Sequence, residues 1–127
     1  MKRIEQYLLA WLGILLLTFG AVHAQEQASQ NAIEALNVVQ QGSVINVKVG
    51  FKQPLRALPP AFSVSKPARI AFDFSNTVNG LGKSSQNFDE GDLKSTSIVQ
   101  AEDRTRLVLN LHKPMTYEAN IDGNNLL

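Results

Sequence analysis

From Ile33 onward the apolar residues of this chain recur at every second position, and that period makes strands rather than helices. In Val44–Phe51, Ile45, Val47, Val49 and Phe51 point one way while Asn46, Lys48 and Gly50 point the other. Ala68–Phe74 sets Ile70, Phe72 and Phe74 against Arg69, Ala71 and Asp73, and Thr105–Leu111 puts Leu107, Leu109 and Leu111 on one face. Weaker runs fill the gaps. Ile33–Gln40 is a first strand, with Leu36 and Val38 opposite Asn37. Ala61–Ser65 reads as a short edge strand, Ser95–Glu102 as another strand, and Met115–Ile121 as a last one with Tyr117, Ala119 and Ile121 inward. No helical period follows residue 31. Six to eight one-sided strands are best buried as two packed sheets, so the expected fold is an all-β sandwich of two similar antiparallel or mixed sheets.

The breaks are equally legible. Gly42-Ser43 and Asp103-Arg104 read as tight turns. Pro54, Pro59 and Pro60 interrupt pairing because proline has no ladder donor. Residues 75–94, rich in Asn, Gly, Ser and Asp, read as a long connection with one short strand near Ser85–Phe88. Two echoes suggest internal symmetry between the sheets. Arg69-Ile-Ala-Phe-Asp-Phe74 matches Arg106-Leu-Val-Leu-Asn-Leu111 in residue type. Val49-Gly-Phe51-Lys-Gln-Pro54-Leu55 matches Leu109-Asn-Leu111-His-Lys-Pro114-Met115. At the other end, Asp122-Gly123-Asn124 is a hairpin turn followed by Asn125-Leu126-Leu127, the start of a further strand. A hairpin is an awkward place to stop, so the chain is expected to be the N-terminal piece of a longer protein or a truncated gene product.

Residues 1–24 have the three parts of a cleavable export signal: Lys2 and Arg3, an apolar run Leu8–Phe19, and the small-residue exit Val22-His23-Ala24. The apolar run is shorter than the ~20 residues that a spanning helix needs, which favours cleavage after Ala24 over retention as an anchor. In either case the remainder lies outside the cytoplasm, beginning with a polar leader over 25–31 and a domain over 32–127. Cleavage takes Lys2 and Arg3 from twelve basic side chains and Glu5 from eleven acidic ones, leaving ten of each in 103 residues. A neutral domain of that size carries no footprint for nucleic acid. With no cysteine, its stability must come from an apolar core rather than disulfides.

Enzymatic chemistry has little to work with. His23 falls in the signal, so His112 is the one histidine after it, at a strand end beside Lys113-Pro114 and without a nucleophile-elbow motif. Asp89, Glu90 and Asp92 cluster around Gly91, but their spacing is not that of a calcium loop. No catalytic residue, metal or cofactor is expected, and the chain is read as a non-enzyme. What remains is a surface. Arg69 and Asp73 share one face of their strand, as do Arg106 and Asn110, with Ala71 and Val108 between them. Such a strip could grip a sugar or a peptide stem, the arginine forks suiting carboxylates. The same residues could equally pair with one another across a wet sheet.

Taken in order, Asn31-Ala-Ile-Glu-Ala-Leu-Asn-Val38, the strand ending Phe51-Lys-Gln-Pro54, Pro67-Ala-Arg-Ile-Ala-Phe-Asp-Phe74 and Thr105-Arg-Leu-Val-Leu-Asn-Leu111 resemble the AMIN domain. The resemblance spans roughly Ala32–Leu127. The opening Asn-Ala-Ile-Glu-Ala-Leu and the Lys-Pro-Met-Thr-Tyr117-Glu run are similar to the first AMIN repeat of type IV pilus secretins, the PilQ family. The resemblance implies two similar three-stranded sheets, a periplasmic location and peptidoglycan binding; the surface strip read from the strands supplies the candidate contacts, Arg69 and Arg106 as anchors with Asp73 and Asn110 as hydrogen-bond partners. It also implies other pilus assembly proteins as partners, and a parent that forms a homo-oligomeric ring in the outer membrane, whose channel-forming part is not in this chain. An alternative is the targeting domain of an N-acetylmuramoyl-L-alanine amidase, and a third is a protein-interaction module of the pilus assembly.

Overall fold

The computed structural model describes residues 29–127, so the expected signal segment and most of the leader lie outside the described residues. The ten strands are β1 (Asn31–Gln41), β2 (Val44–Phe51), β3 (Ala61–Ser65), β4 (Ala68–Phe74), β5 (Thr77–Asn79), β6 (Ser85–Glu90), β7 (Leu93–Ala101), β8 (Arg104–Leu111), β9 (Ile121–Asp122) and β10 (Asn125–Leu126). No helix occurs among the described residues. The strands form two five-stranded sheets, ordered β5-β1-β2-β10-β9 and β3-β4-β8-β7-β6. The sandwich is as expected, but each sheet has five strands where the resemblance implied three. The additional strands are short; Ala61–Ser65 and the run near Ser85 are legible in the sequence, whereas Thr77–Asn79 is not.

Alternation places most of the core. Ile70, Phe72 and Phe74 of β4 and Leu107 and Leu109 of β8 face Val49 and Phe51 of β2, and all are buried. The Phe51 and Phe74 rings meet across the sandwich with centroids 5.0 Å apart, a tilted pairing that aromatic quadrupoles favour. Where alternation fails, a bulge explains it. Ile33 and Leu36 are three apart yet both buried, and the β1–β2 register slips between Ile33 and Ala35. Leu93 and Thr96 repeat this in β7, with a slip between Leu93 and Ser95 against β8. In both, one extra residue rotates the strand so that two residues of opposite parity face inward.

Three local expectations need correction. The turn before β8 is Glu102-Asp103, with Ala101 opposite Arg104. Glu102 takes the left-handed conformation (φ 58°) that a two-residue hairpin loop imposes. Of Met115–Ile121, only Ile121 enters a strand. The rest crosses from the second sheet to the first, with Tyr117 exposed and set edge-on to Phe72 at 5.5 Å. The supposed leader ends earlier than residue 31, since Asn31 opens β1 and its side-chain oxygen accepts from Gln53 N at 2.9 Å.

The two echoes have different meanings. Arg69–Phe74 and Arg106–Leu111 are not equivalents in opposite sheets. They are antiparallel partners within one sheet, Arg69 opposite Asn110 and Asp73 opposite Arg106. The other echo does relate the sheets. The β1–β2 and β7–β8 hairpins correspond at a constant spacing of sixty residues: Ile33 with Leu93 at the bulges, Gly42-Ser43 with Glu102-Asp103 at the turns, Phe51 with Leu111 at the ends. Each hairpin receives a strand from the other half of the chain. β4 lies on β8, and β10 lies on β2.

Candidate functional site

The outer face of the second sheet gathers all four residues singled out by sequence. Because side chains directly opposite in an antiparallel pair share a face, Arg69 sits beside Asn110, Ala71 beside Val108, and Asp73 beside Arg106. On the edge strand β3, Val64 lies opposite Arg69 and Phe62 opposite Ala71. On the other side, Ser95, Ser97 and Val99 of β7 lie opposite Asn110, Val108 and Arg106.

The charged groups divide into engaged and free. Arg106 grips Asp73 in a two-pronged bond, Nε to Oδ1 at 2.7 Å and Nη2 to Oδ2 at 3.0 Å. The hydrogen bond from Arg106 holds the Asp73 carboxyl below the usual carboxylate range, and the fields of Arg106 and Arg104 add to it against a partial loss of hydration. The same bond raises the already high pKa of Arg106. The guanidinium carbon also stands 4.9 Å from the centre of the Phe62 ring, in cation–π range. Arg106 is therefore fixed from two sides and is a rigid part of the surface. Asn110 donates to Ser95 Oγ and to Ser97 Oγ, both at 3.1 Å. Arg69 is exposed and has no ion pair among the described residues.

Sequence reasoning missed the apolar part of this face. Phe62 is 45% exposed and Val99 56%. Phe62 and Val64 had the strand alternation to be noticed, but nothing local shows that an edge strand turns its large residues outward. The pairing of β3 with β4 decides it: Phe62 is set opposite the buried Ala71 on the outer face, where its ring meets Arg106. The result is an aromatic and aliphatic ledge bordered by one free guanidinium, one fixed guanidinium and a short amide–hydroxyl cluster. It can bind a carboxylate through Arg69 and lay an apolar face along Phe62 and Val64.

The other candidates of the sequence are ordinary in place. Asp92, at the β6–β7 turn, pairs with Lys113 Nζ at 3.4 Å, and its carbonyl accepts from His112 N at 2.9 Å. His112 is exposed. Among the described residues no group of acidic or histidine side chains is arranged to hold a metal.

A concavity lies between the sheets, a cleft of about 1160 Å³ lined by β2, the inner face of β8 and residues 115–120.

Comparison with known proteins gives a consistent picture. Residues 35–127 match the family model described as the AMIN domain. The chain is 36% identical over 85 residues to "Fimbrial assembly protein PilQ" of Pseudomonas aeruginosa, covering 67% of this chain and 12% of that protein. It is 40% identical over 78 residues to "Type IV pilus biogenesis and competence protein PilQ" of Neisseria gonorrhoeae, covering 61% of this chain and 11% of the relative. The corresponding Neisseria meningitidis proteins match equally, at 10% of their length. The chain thus spans about a tenth of the length of these relatives. No solved structure matches.

Proposed function

The chain belongs to the AMIN domain family, and from that premise we propose that it is the peptidoglycan-binding, periplasmic N-terminal module of a type IV pilus secretin. The names of its relatives support the pilus context. They lend nothing to the amidase alternative. The observation that carries the binding reading is the outer face of β3-β4-β8-β7-β6, with Arg69, which has no ion pair among the described residues, beside the Phe62–Val64 ledge.

In this reading Arg69 forks onto a carboxylate of a stem peptide. The ledge takes the peptide's methyl groups or the less polar face of a sugar ring. Asp73 holds Arg106 in place over Phe62, and Asn110 offers hydrogen-bonding capacity toward amides or hydroxyls. One exposed face of this kind binds weakly. In a homo-oligomeric ring every subunit presents the same face, and a high effective concentration converts weak contacts into retention at the wall. The secretin would be held in register with the other pilus assembly proteins, while its outer-membrane channel belongs to parts of the parent that this chain does not contain.

Co-sedimentation with purified cell-wall sacculi at low salt tests this. The wild-type chain pellets with the sacculi. Arg69→Ala lowers the pelleted fraction most, on the order of fivefold for loss of one charge-assisted contact. Phe62→Ala lowers it less. A wild-type chain that stays in the supernatant ends the wall-binding reading. Binding that is indifferent to Arg69→Ala moves the site elsewhere.

A further inference from the structure

The second sheet ends in two edges of opposite character. At one, β6 carries Asp89 and Glu90, and its register against β7 slips between Asn87 and Glu90. Charge and a bulge are common means of keeping an edge from pairing with another strand. At the other, β3 reads Ala-Phe-Ser-Val-Ser, carries no charge and pairs with β4 without a slip. All of its residues are exposed, and among the described residues no strand lies on its far side.

The backbone groups that this edge offers follow from one bond. Asp73 N donates to the Pro60 carbonyl at 3.0 Å. In the antiparallel alternation that continues from it, Phe62 and Val64 exchange hydrogen bonds with Ala71 and Arg69. The N–H and C=O groups of Ala61, Ser63 and Ser65 therefore point away from β4. The next positions of the same parity are Pro59 and Pro67, which have no N–H to give. The usable edge is thus bracketed by proline at both ends.

We propose that this edge pairs with the same edge of a second copy of the chain, antiparallel and about a two-fold axis at Ser63. Ser63 of one copy then lies opposite Ser63 of the other, and Ala61 opposite Ser65. Each of these pairs exchanges both of its hydrogen bonds. Moving the axis to Phe62 or Val64 sets one of the donors opposite Pro59 or Pro67, which cannot reciprocate. The side chains fit the same register. On the outer face Phe62 of each copy meets Val64 of the other in a non-hydrogen-bonded pair, the kind that brings side chains closest, and aromatic against β-branched residues make favourable cross-strand partners. On the inner side the facing residues are alanine and serine, small enough to pass one another. No like charges are brought opposite each other. A foreign strand would have to supply the small–large alternation that β3 already carries as its own complement. The contact is isologous, so it closes at two copies. It joins the sheets edge to edge and leaves the outer face with Arg69 open, so it does not rest on the wall-binding reading.

Sedimentation equilibrium of the chain after the expected cleavage at Ala24 tests the pairing. So short an edge lies below the area of a stable interface, and the wild type should be monomeric at about 10 µM and move toward dimer between roughly 0.1 and 1 mM. Ser63→Lys and Ser63→Glu each set like charges opposite one another at the axis and should weaken dimerisation on the order of fivefold. Their equimolar mixture should restore it at least to the wild-type level, because opposite charges then meet at the axis. Ser63 is exposed, so both variants should keep the thermal midpoint of the wild type. A wild type that stays monomeric at about 1 mM overturns the pairing. So does a dimer that Ser63→Lys leaves intact, which belongs to another surface, or a mixture no more dimeric than its components. Sacculus binding is not a readout here, so failure of this pairing and failure of the wall-binding reading are distinguishable.

Discussion

The two sheets carry equivalent central hairpins, yet they differ in how well those hairpins are covered. In the second sheet β8 lies between two long neighbours, and its inward residues Leu107 and Thr105 are each 1% exposed. In the first sheet β2 has β1 along its whole length on one side and two residues of β10 on the other. Residues of equivalent position and similar type therefore end in different environments. Burial is conferred by the partner that a strand finds, not by the strand's own pattern.

Removing the strongest element of that difference should have the largest effect. Phe74 fills the position on β4 that has no counterpart on β10, and it meets Phe51 across the core. Phe74→Ala should cost about 3–5 kcal/mol in urea unfolding followed by circular dichroism. A loss below about 1 kcal/mol would mean that β4 does not anchor the second sheet. Next in size is a direct test of the equivalence. Leu107→Ala removes a fully buried side chain and should cost about 2–4 kcal/mol. Val47→Ala, at the matching site in β2, should cost less than half as much. Equal costs would erase the contrast.

Thr105 sharpens the comparison at a polar position, since its counterpart Ile45 is apolar. Its hydroxyl donates to the Thr77 carbonyl at 2.6 Å in a buried site, tying β5 of the first sheet to β8 of the second. Thr105→Val keeps the shape and removes the donor, so unfolding should show a loss of about 1–2 kcal/mol. Hydrogen exchange should place the loosening at Thr77–Asn79. The smallest effect belongs to the surface pair. The carboxyl of Asp73 has a lowered pKa in the folded chain, so its contribution is present above the ordinary aspartate pKa of about 3.9 and is lost as pH falls through the lowered value. Both partners are partly exposed, and solvent screening keeps that contribution slight. Thermal midpoints of wild type and Asp73→Asn should differ slightly at neutral pH and converge in acid. A difference that persists at low pH would show that Asp73 acts through something other than its charge.

How much of this was legible in the residues varies by feature. The inward residues of β2, β4 and β8 follow from period-two alternation, because a pleated strand has no other way to sort side chains. The placement of Arg69, Asp73, Arg106 and Asn110 on outward positions follows from the same rule. Alternation failed at β1 and β7, where bulges place two residues of opposite parity inward, and at Met115–Ile121, where an alternating run serves as a crossing segment. It was silent on the face taken by Phe62 and Val64, which is set by the pairing of β3 with β4 that puts them opposite Ala71 and Arg69.

The sequence by itself determined the long strands β1, β2, β4, β7 and β8, the turns that join their hairpins to within a residue, the exclusion of cysteine chemistry, and the likeness that the family match confirms. Only the tertiary structure decided that the matching segments Arg69–Phe74 and Arg106–Leu111 lie side by side in one sheet. It also decided that Arg106 is committed to Asp73 while Arg69 has no ion pair among the described residues, and that β2 is flanked unevenly by β1 and β10. The physical reason is range. Side-chain alternation is a property of neighbours in the chain, whereas strand pairing joins residues tens of positions apart, and its register is fixed only when both faces and both edges compete for burial at once.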